Sequence, residues 1–169
     1  MNTDYWQQQT AQEPLFPDIE WSKPQQKAQS GKLLIVGGTT HGFSAVVKAY
    51  AAATAAGAGD VKVAVPDGLK KSLPPDFADS VFLPTNPSGA LSKDAQAELL
   101  AAAQWADGVL LVGDSGMNSE TGILLANLLG DTDTWTTITR DAIDLLQTSA
   151  ADIVKRPQTH LLMSFPQVQ

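Results

Sequence analysis

The chain has 169 residues, 43% of them hydrophobic and 17% charged, enough for one domain with a buried core. Its formal charge of −7 argues against a nucleic-acid or anionic-membrane surface, since both favour a basic patch. The absence of cysteine excludes disulfides, thiolate metal sites and cysteine nucleophiles, and the two histidines have no carboxylates beside them to complete a metal site.

The start, Met1 to Thr10, is polar and glutamine-rich, without the basic residues and apolar run of a signal peptide. No stretch reaches the ~18 uninterrupted apolar residues of a membrane span. A soluble, cytoplasmic protein is expected. Residues 1–30 carry seven glutamines and three prolines (Pro14, Pro17, Pro24), which read as an extended arm. The aromatics Tyr5, Trp6, Phe16 and Trp21 suggest that parts of that arm lie against the domain formed by residues 31–169.

From Gly31 onward, apolar runs alternate with helical periodicity. Leu33 to Val36, ended by Gly37-Gly38, reads as a strand buried on both faces. Phe43, Val46, Val47 and Tyr50 form a helical stripe that stops near Gly57. Val61 to Val65 is a second strand and Ser80 to Leu83 a weak third. Ser92 is placed to cap a helix carrying Leu99, Leu100 and Ala103. Val109 to Val112 is the next strand, followed by a helix with Leu124, Leu125, Leu128 and Leu129 that ends at Gly130. Trp135 to Thr139 is a strand, Asp141 to Leu146 a helix, and Thr159 to Met163 a final strand. Such alternation implies parallel pairing with right-handed crossovers.

Ligands of such sheets bind beyond the carboxyl ends of the strands, and four loops are read there. Gly37 to Ser44 serves either as a tight turn or as a ligand loop whose following helix offers N–H groups to an anion. It matches neither a Walker A loop nor a GxGxxG fingerprint. His41 reads as an exposed loop residue. Gly57-Ala58-Gly59 is a helix stop or a second ligand loop. Gly113 to Asn118 places Ser115 between strand and helix. A hydrolase elbow would need glycine where Met117 stands, and His160 has no evident acidic partner, so a small-residue loop able to hold an anion or a sugar fits better. In Thr139-Arg140-Asp141, Thr139 is a candidate cap, and Asp141 is either a first-turn acid or a site carboxylate. These loops leave the catalytic residues unassigned.

The order of these pieces is more specific than any one of them. KAQSGKLLIVGG (Lys27–Gly38), AAGAGDVKVAVP, GVLLVGDSG, TRDAIDLL and THLLMSFP resemble the ADP- or ATP-dependent NAD(P)H-hydrate dehydratases, a branch of the ribokinase-like carbohydrate kinases. The similarity runs from about Trp21 to the C-terminus. The resemblance implies a truncated, ribokinase-like three-layer αβα sandwich with a mostly parallel sheet. It also implies repair of hydrated NADH or NADPH, with ATP or ADP and Mg2+ as co-reactants, and a tendency to form homo-oligomers. The nucleotide substrate would contact Gly38, Ala58, Gly113, Ser115 and Asp141.

The sequence departs from that family's pattern in several places. Gly113 to Met117 replaces Gly-Pro-Gly-Leu-Gly, and Thr139 replaces the first aspartate of Asp-Ala-Asp-Ala-Leu. Phe165, Gln167 and Val168 surround Pro166, where the family has His-Pro-Gly-Glu. The family's Gly-Thr-Gly-Asp segment, with its catalytic aspartate, would fall after Gln169. A degenerate, non-catalytic member acting as a nucleotide-binding or assembly module is therefore the second expectation.

Overall fold

The computed structural model describes Thr10, Gln12, residues 24–77 and residues 79–168. The aromatic residues of the expected arm lie outside that range. The described residues form six strands: β1 (Lys32–Gly37), β2 (Asp60–Pro66), β3 (Val81–Leu83), β4 (Gly108–Gly113), β5 (Trp135–Thr139) and β6 (Thr159–Leu162). Between them run α1 (Ser44–Ala55), α2 (Gln96–Trp105), α3 (Ser119–Asp131), α4 (Asp141–Leu145) and α5 (Ala150–Ile153). The strands make one sheet in the order β3-β2-β1-β4-β5-β6, and every pairing is parallel. The expected α/β architecture is the one found.

Each strand side chain goes to the face its position dictates. Leu34, Val36, Ala64, Leu83, Val109, Leu111 and Ile138 point to one face, where α2, α3, α4 and α5 bury them. Ile35, Val63, Val65 and Val112 point to the other, under α1. Parallel strands joined by helices are covered on both sides, which is why β1 and β4 read as unbroken apolar runs. Leu34, Leu99, Leu111 and Leu124 are buried to within 1% of full enclosure. Each such side chain contributes about 1.5–3 kcal/mol of transfer free energy.

The helix ends follow local chemistry. The Asn118 side chain caps α3 by accepting from Glu120 N–H at 2.8 Å. Ser92 caps a short 3-10 turn, Lys93–Ala95, that leads into α2. The helix α3 passes through Gly130 and ends at Asp131, so that glycine is not the stop expected. Among the described residues, no helix is long and apolar enough to cross a membrane.

Two polar contacts tie neighbouring elements together. The Glu120 carboxylate accepts from Lys93 N–H and Ser92 O–H, both at 3.0 Å, joining the starts of α2 and α3. These bonds, Lys93 first, hold its pKa below the ordinary glutamate value. A lowered folded-state pKa means that this contact stabilises the fold above the unfolded-state value and stops doing so as pH falls through the lowered one. Arg156 donates to the carbonyls of Thr132, Thr134 and Gln158 and to Thr159 Oγ1, fastening the starts of β5 and β6. Burial lowers its pKa from the usual arginine value.

Glu120→Gln is expected to flatten the acid limb of a stability-against-pH profile, measured by urea denaturation. Arg156→Met should lose about 1–2 kcal/mol, because it abandons carbonyls that water only partly reaches. Backbone amides of β5 and β6 should then exchange faster than those of β1.

Candidate functional site

The strand order reverses between β1 and β4, whose carboxyl ends lie side by side. Open parallel sheets place ligands at this kind of crevice. Gly38 N–H donates to Gly113 O at 3.1 Å, and three loops converge around that point. They are the loop after β1 (Gly38–Phe43), the loop after β3 (Thr85–Leu91) and the loop after β4 (Asp114–Asn118).

The β1 and β3 loops are in direct contact. Thr40 N–H donates to Gly89 O at 2.8 Å. A Cβ at Gly89 would overlap Thr40 Oγ1, so only glycine allows that approach. Asn86, 4% exposed, shapes the β3 loop from within. Its Oδ1 accepts from Ser88 N–H, Ser88 O–H and Ala90 N–H, and its Nδ2 donates to Leu91 O. Asn118 Nδ2 reaches across from the β4 loop to donate to Ser88 Oγ at 3.0 Å. Sequence reading passed over this β3 loop. Its signal was the pair of turn dipeptides Asn86-Pro87 and Ser88-Gly89.

Two aspartates organise the β4 loop. Asp141, in the first turn of α4, accepts from Asp114 N–H at 2.8 Å with one oxygen and from Ser115 N–H at 2.9 Å with the other. Asp114 in turn accepts from Ala45 N–H at 2.7 Å and from the Ser44 hydroxyl at 3.4 Å, while Arg140 Nη2 pairs with its second oxygen at 3.2 Å. Asp114 thus supplies, from a distant loop, the cap that Phe43 cannot give α1. Asp114 and Arg140 both adopt positive φ, 54° and 57°. That conformation costs each about 1–3 kcal/mol and persists where surrounding bonds over-determine it, commonly at functional sites.

These placements refine the sequence expectations. Gly38, Gly113, Ser115 and Asp141 are brought together. Ala58 is not: it follows a helix and precedes β2, so it lies at the amino ends of the strands, where its N–H donates to Ala53 O at the end of α1. Neighbouring Gly59 packs there against the backbone of Lys27 and Gly31. The helix-stop reading of Gly57-Ala58-Gly59 is the correct one. Thr139 does not cap α4; its hydroxyl donates to Leu111 O and Val112 O, and the chain turns through Arg140 instead. Ser115 is buried at 3% exposure. His41 is exposed in the β1 loop, and His160 stacks on Trp135 with ring centroids 5.2 Å apart.

The start of α1 is not an open phosphate site. The N–H of Ala45, which an anion at α1 would use, already serves Asp114, and that carboxylate puts negative charge where phosphates need positive. Among the described residues, no group of three or more acidic or histidine side chains is placed to hold a metal ion. An apolar cavity of about 170 Å3, lined by Ile138, Ile143, Leu161 and Met163 among others, lies between β5–β6 and α4–α5, away from the converging loops.

No protein-family model matches the sequence, and no curated protein matches it. Among solved structures, it is similar to a ribokinase-like superfamily protein from Enterococcus faecalis V583. The TM-score is 0.61 at 18% identity, over 76% of this chain and 44% of that one. The chain therefore has the ribokinase-like fold and spans less than half the length of that neighbour.

Asp141→Asn leaves one of two backbone N–H groups without an acceptor and should cost about 1–3 kcal/mol. Urea denaturation with an unchanged m-value is the measurement; a loss below ~0.5 kcal/mol would mean that Asp141 is free to serve a ligand. Gly113→Val should destabilise as well. Gly113 has φ +90°, and a Cβ there would overlap Asp141 Oδ1. That substitution consequently tests the loop, not ligand affinity alone.

Proposed function

We propose that the chain is a nicotinamide-nucleotide-binding relative of the NAD(P)H-hydrate dehydratases that holds its ligand without turning it over. The observation that carries this reading is the double commitment of the two site carboxylates. Asp141 spends both oxygens on backbone N–H groups, and Asp114 is divided between the start of α1 and Arg140. A general base must reach the proton it abstracts with an oxygen that is free to take it. Both aspartates are instead held as supports of the β4 loop, Asp141 behind it and Asp114 against α1 and Arg140.

The ligand contacts proposed are the backbone at Gly38 and Gly113 and the loop at Ser115, with Asp141 acting as the support of that loop. The end of the ligand that enters would be its hydroxyl-bearing, uncharged part, since Asp114 repels a phosphate. This keeps the substrate class that the motif order implies, hydrated NADH or NADPH, while assigning the chain a binding role. The phosphorylation by ATP or ADP that would drive dehydration needs donor phosphates, a metal ion and a base held together. Those parts are not assembled by the residues of this site.

The test combines binding with turnover. Hydrated NADH should bind the 169-residue chain in calorimetry, and absorbance of restored NADH should not rise when ATP or ADP and magnesium are supplied. Loss of a base alone removes a factor of about 10²–10⁴, so background rates are the expected result. Turnover abolished by Asp141→Asn at unchanged stability would overturn the reading. Absence of binding would leave the assembly role as the better description.

A further inference from the structure

Asp114 closes the start of α1 to anions, yet a dinucleotide brings a diphosphate that has to be received somewhere. The loops lining the crevice, Gly38–Phe43, Thr85–Leu91 and Asp114–Asn118, contain no lysine or arginine. Among the described residues, the one lysine or arginine side chain bonded to them is that of Arg140, just after β5. It lies back over the Gly113 backbone: a Cβ on Gly113 would stand 2.9 Å from Arg140 Cβ and 3.3 Å from its Nε. The guanidinium is thus at the rim of the site, its side chain 60% exposed against 17% for Asp114.

The stability of the fold gives little reason for an arginine at this position. Its φ of 57° is a conformation that glycine or asparagine adopts at lower cost. Its side-chain bond is the 3.2 Å contact of Nη2 with Asp114 Oδ1, and an ion pair so exposed contributes little. The backbone is held independently, by Gln167 Nε2 donating to Arg140 O at 2.9 Å. A guanidinium carries its N–H donors in a rigid planar fork. The Asp114 contact holds that fork in place, while Nε and Nη1 have no partner among the described residues.

We infer that Arg140 is the phosphate anchor of the crevice and that, with Asp114, it sets which part of the ligand enters. The inference rests on the dinucleotide-binding reading above. Asp114 bars phosphate from the helix start, and Arg140, pinned by that same carboxylate, takes the diphosphate at the rim through its remaining N–H groups. Planar paired donors match phosphate oxygens. The uncharged nicotinamide riboside end then points inward, to Gly38, Gly113 and Ser115. A diphosphate arriving from solvent meets the exposed cation before the more enclosed carboxylate, and water at the rim screens the more distant repulsion.

Calorimetry on the 169-residue chain tests this. Arg140→Gln should weaken hydrated NADH at least ~10-fold, and leave hydrated dihydronicotinamide riboside, which has no phosphate, within about twofold. Arg140→Lys keeps the charge without the fork and should fall between. In proton–nitrogen correlation spectra, the Arg140 Nε–H signal, assigned by its loss in Arg140→Gln, should shift when inorganic diphosphate is added. If Arg140→Gln loses the wild-type circular dichroism, Arg140→Lys and the Nε–H signal decide. Equal weakening of both ligands would make Arg140 a support of the loop and overturn the anchor. Unchanged affinity for hydrated NADH, or an Nε–H signal indifferent to diphosphate, would overturn it as well. A chain that binds no dinucleotide while its Arg140 signal still responds to diphosphate would overturn the nicotinamide reading and leave the anchor standing.

Discussion

A parallel sheet must keep most of its strand faces from water, because the segments that connect its strands cross over one face or the other. In this chain that constraint explains the sequence of β1 and β4, where Leu33 to Val36 and Val109 to Val112 are apolar without alternation. It also explains the division of the core into two clusters separated by the sheet. The four helices on one face and α1 on the other are consequences of right-handed crossovers running outward in both directions from the centre. The place where those directions part is the crevice between β1 and β4. The same requirement that builds the core therefore also builds the candidate site.

Much of this was legible in the sequence because burial on both faces leaves an unmistakable pattern. The β1, β2, β4 and β5 segments announce themselves as short apolar or β-branched runs, and the helices by their leucine spacing. Less was legible at the loops. Glycine-rich stretches after strands and after helices look alike in one dimension, so Ala58 was grouped with Gly38 and Gly113 although it belongs to the opposite end of the sheet. Thr139 looked like a cap because it precedes an acidic first turn. Its hydroxyl instead turns back to the β4 carbonyls, and no local pattern reports a bond across two strands. The Asn86 loop was missed for a related reason: its turn dipeptides signal a bend, and only the fold brings that bend against Thr40.

The likeness to the Enterococcus faecalis protein bears on the fold and not on chemistry, at 18% identity. The chemistry is set by how this chain's own side chains fill the crevice. In a ligand-binding helix start, the first N–H groups are left free for an anion. Here Asp114 reaches over from β4 and takes that role itself, held by Arg140 on its outer side. Replacing a mobile, exchangeable anion with a covalently attached one fixes α1 against β4 whether or not a ligand is bound. The site gains rigidity from that arrangement and gives up the positive field that phosphates require.

The pairing of positive φ at Asp114 and at Arg140 follows from the same geometry. For Asp114 to reach Ala45 while its own N–H reaches Asp141, the backbone after Gly113 must turn sharply. Asp141 must at the same time stand directly behind that turn, which forces the chain at Arg140 to swing round before α4 begins. The two strained residues are thus held together: Asp114 N–H donates to Asp141, next to Arg140, and Arg140 itself grips the Asp114 carboxylate. Remove either aspartate and the strain at both positions loses its restraint. The two loops are consequently one mechanical unit, and the chemistry available at the crevice is limited by what that unit must do to hold itself together.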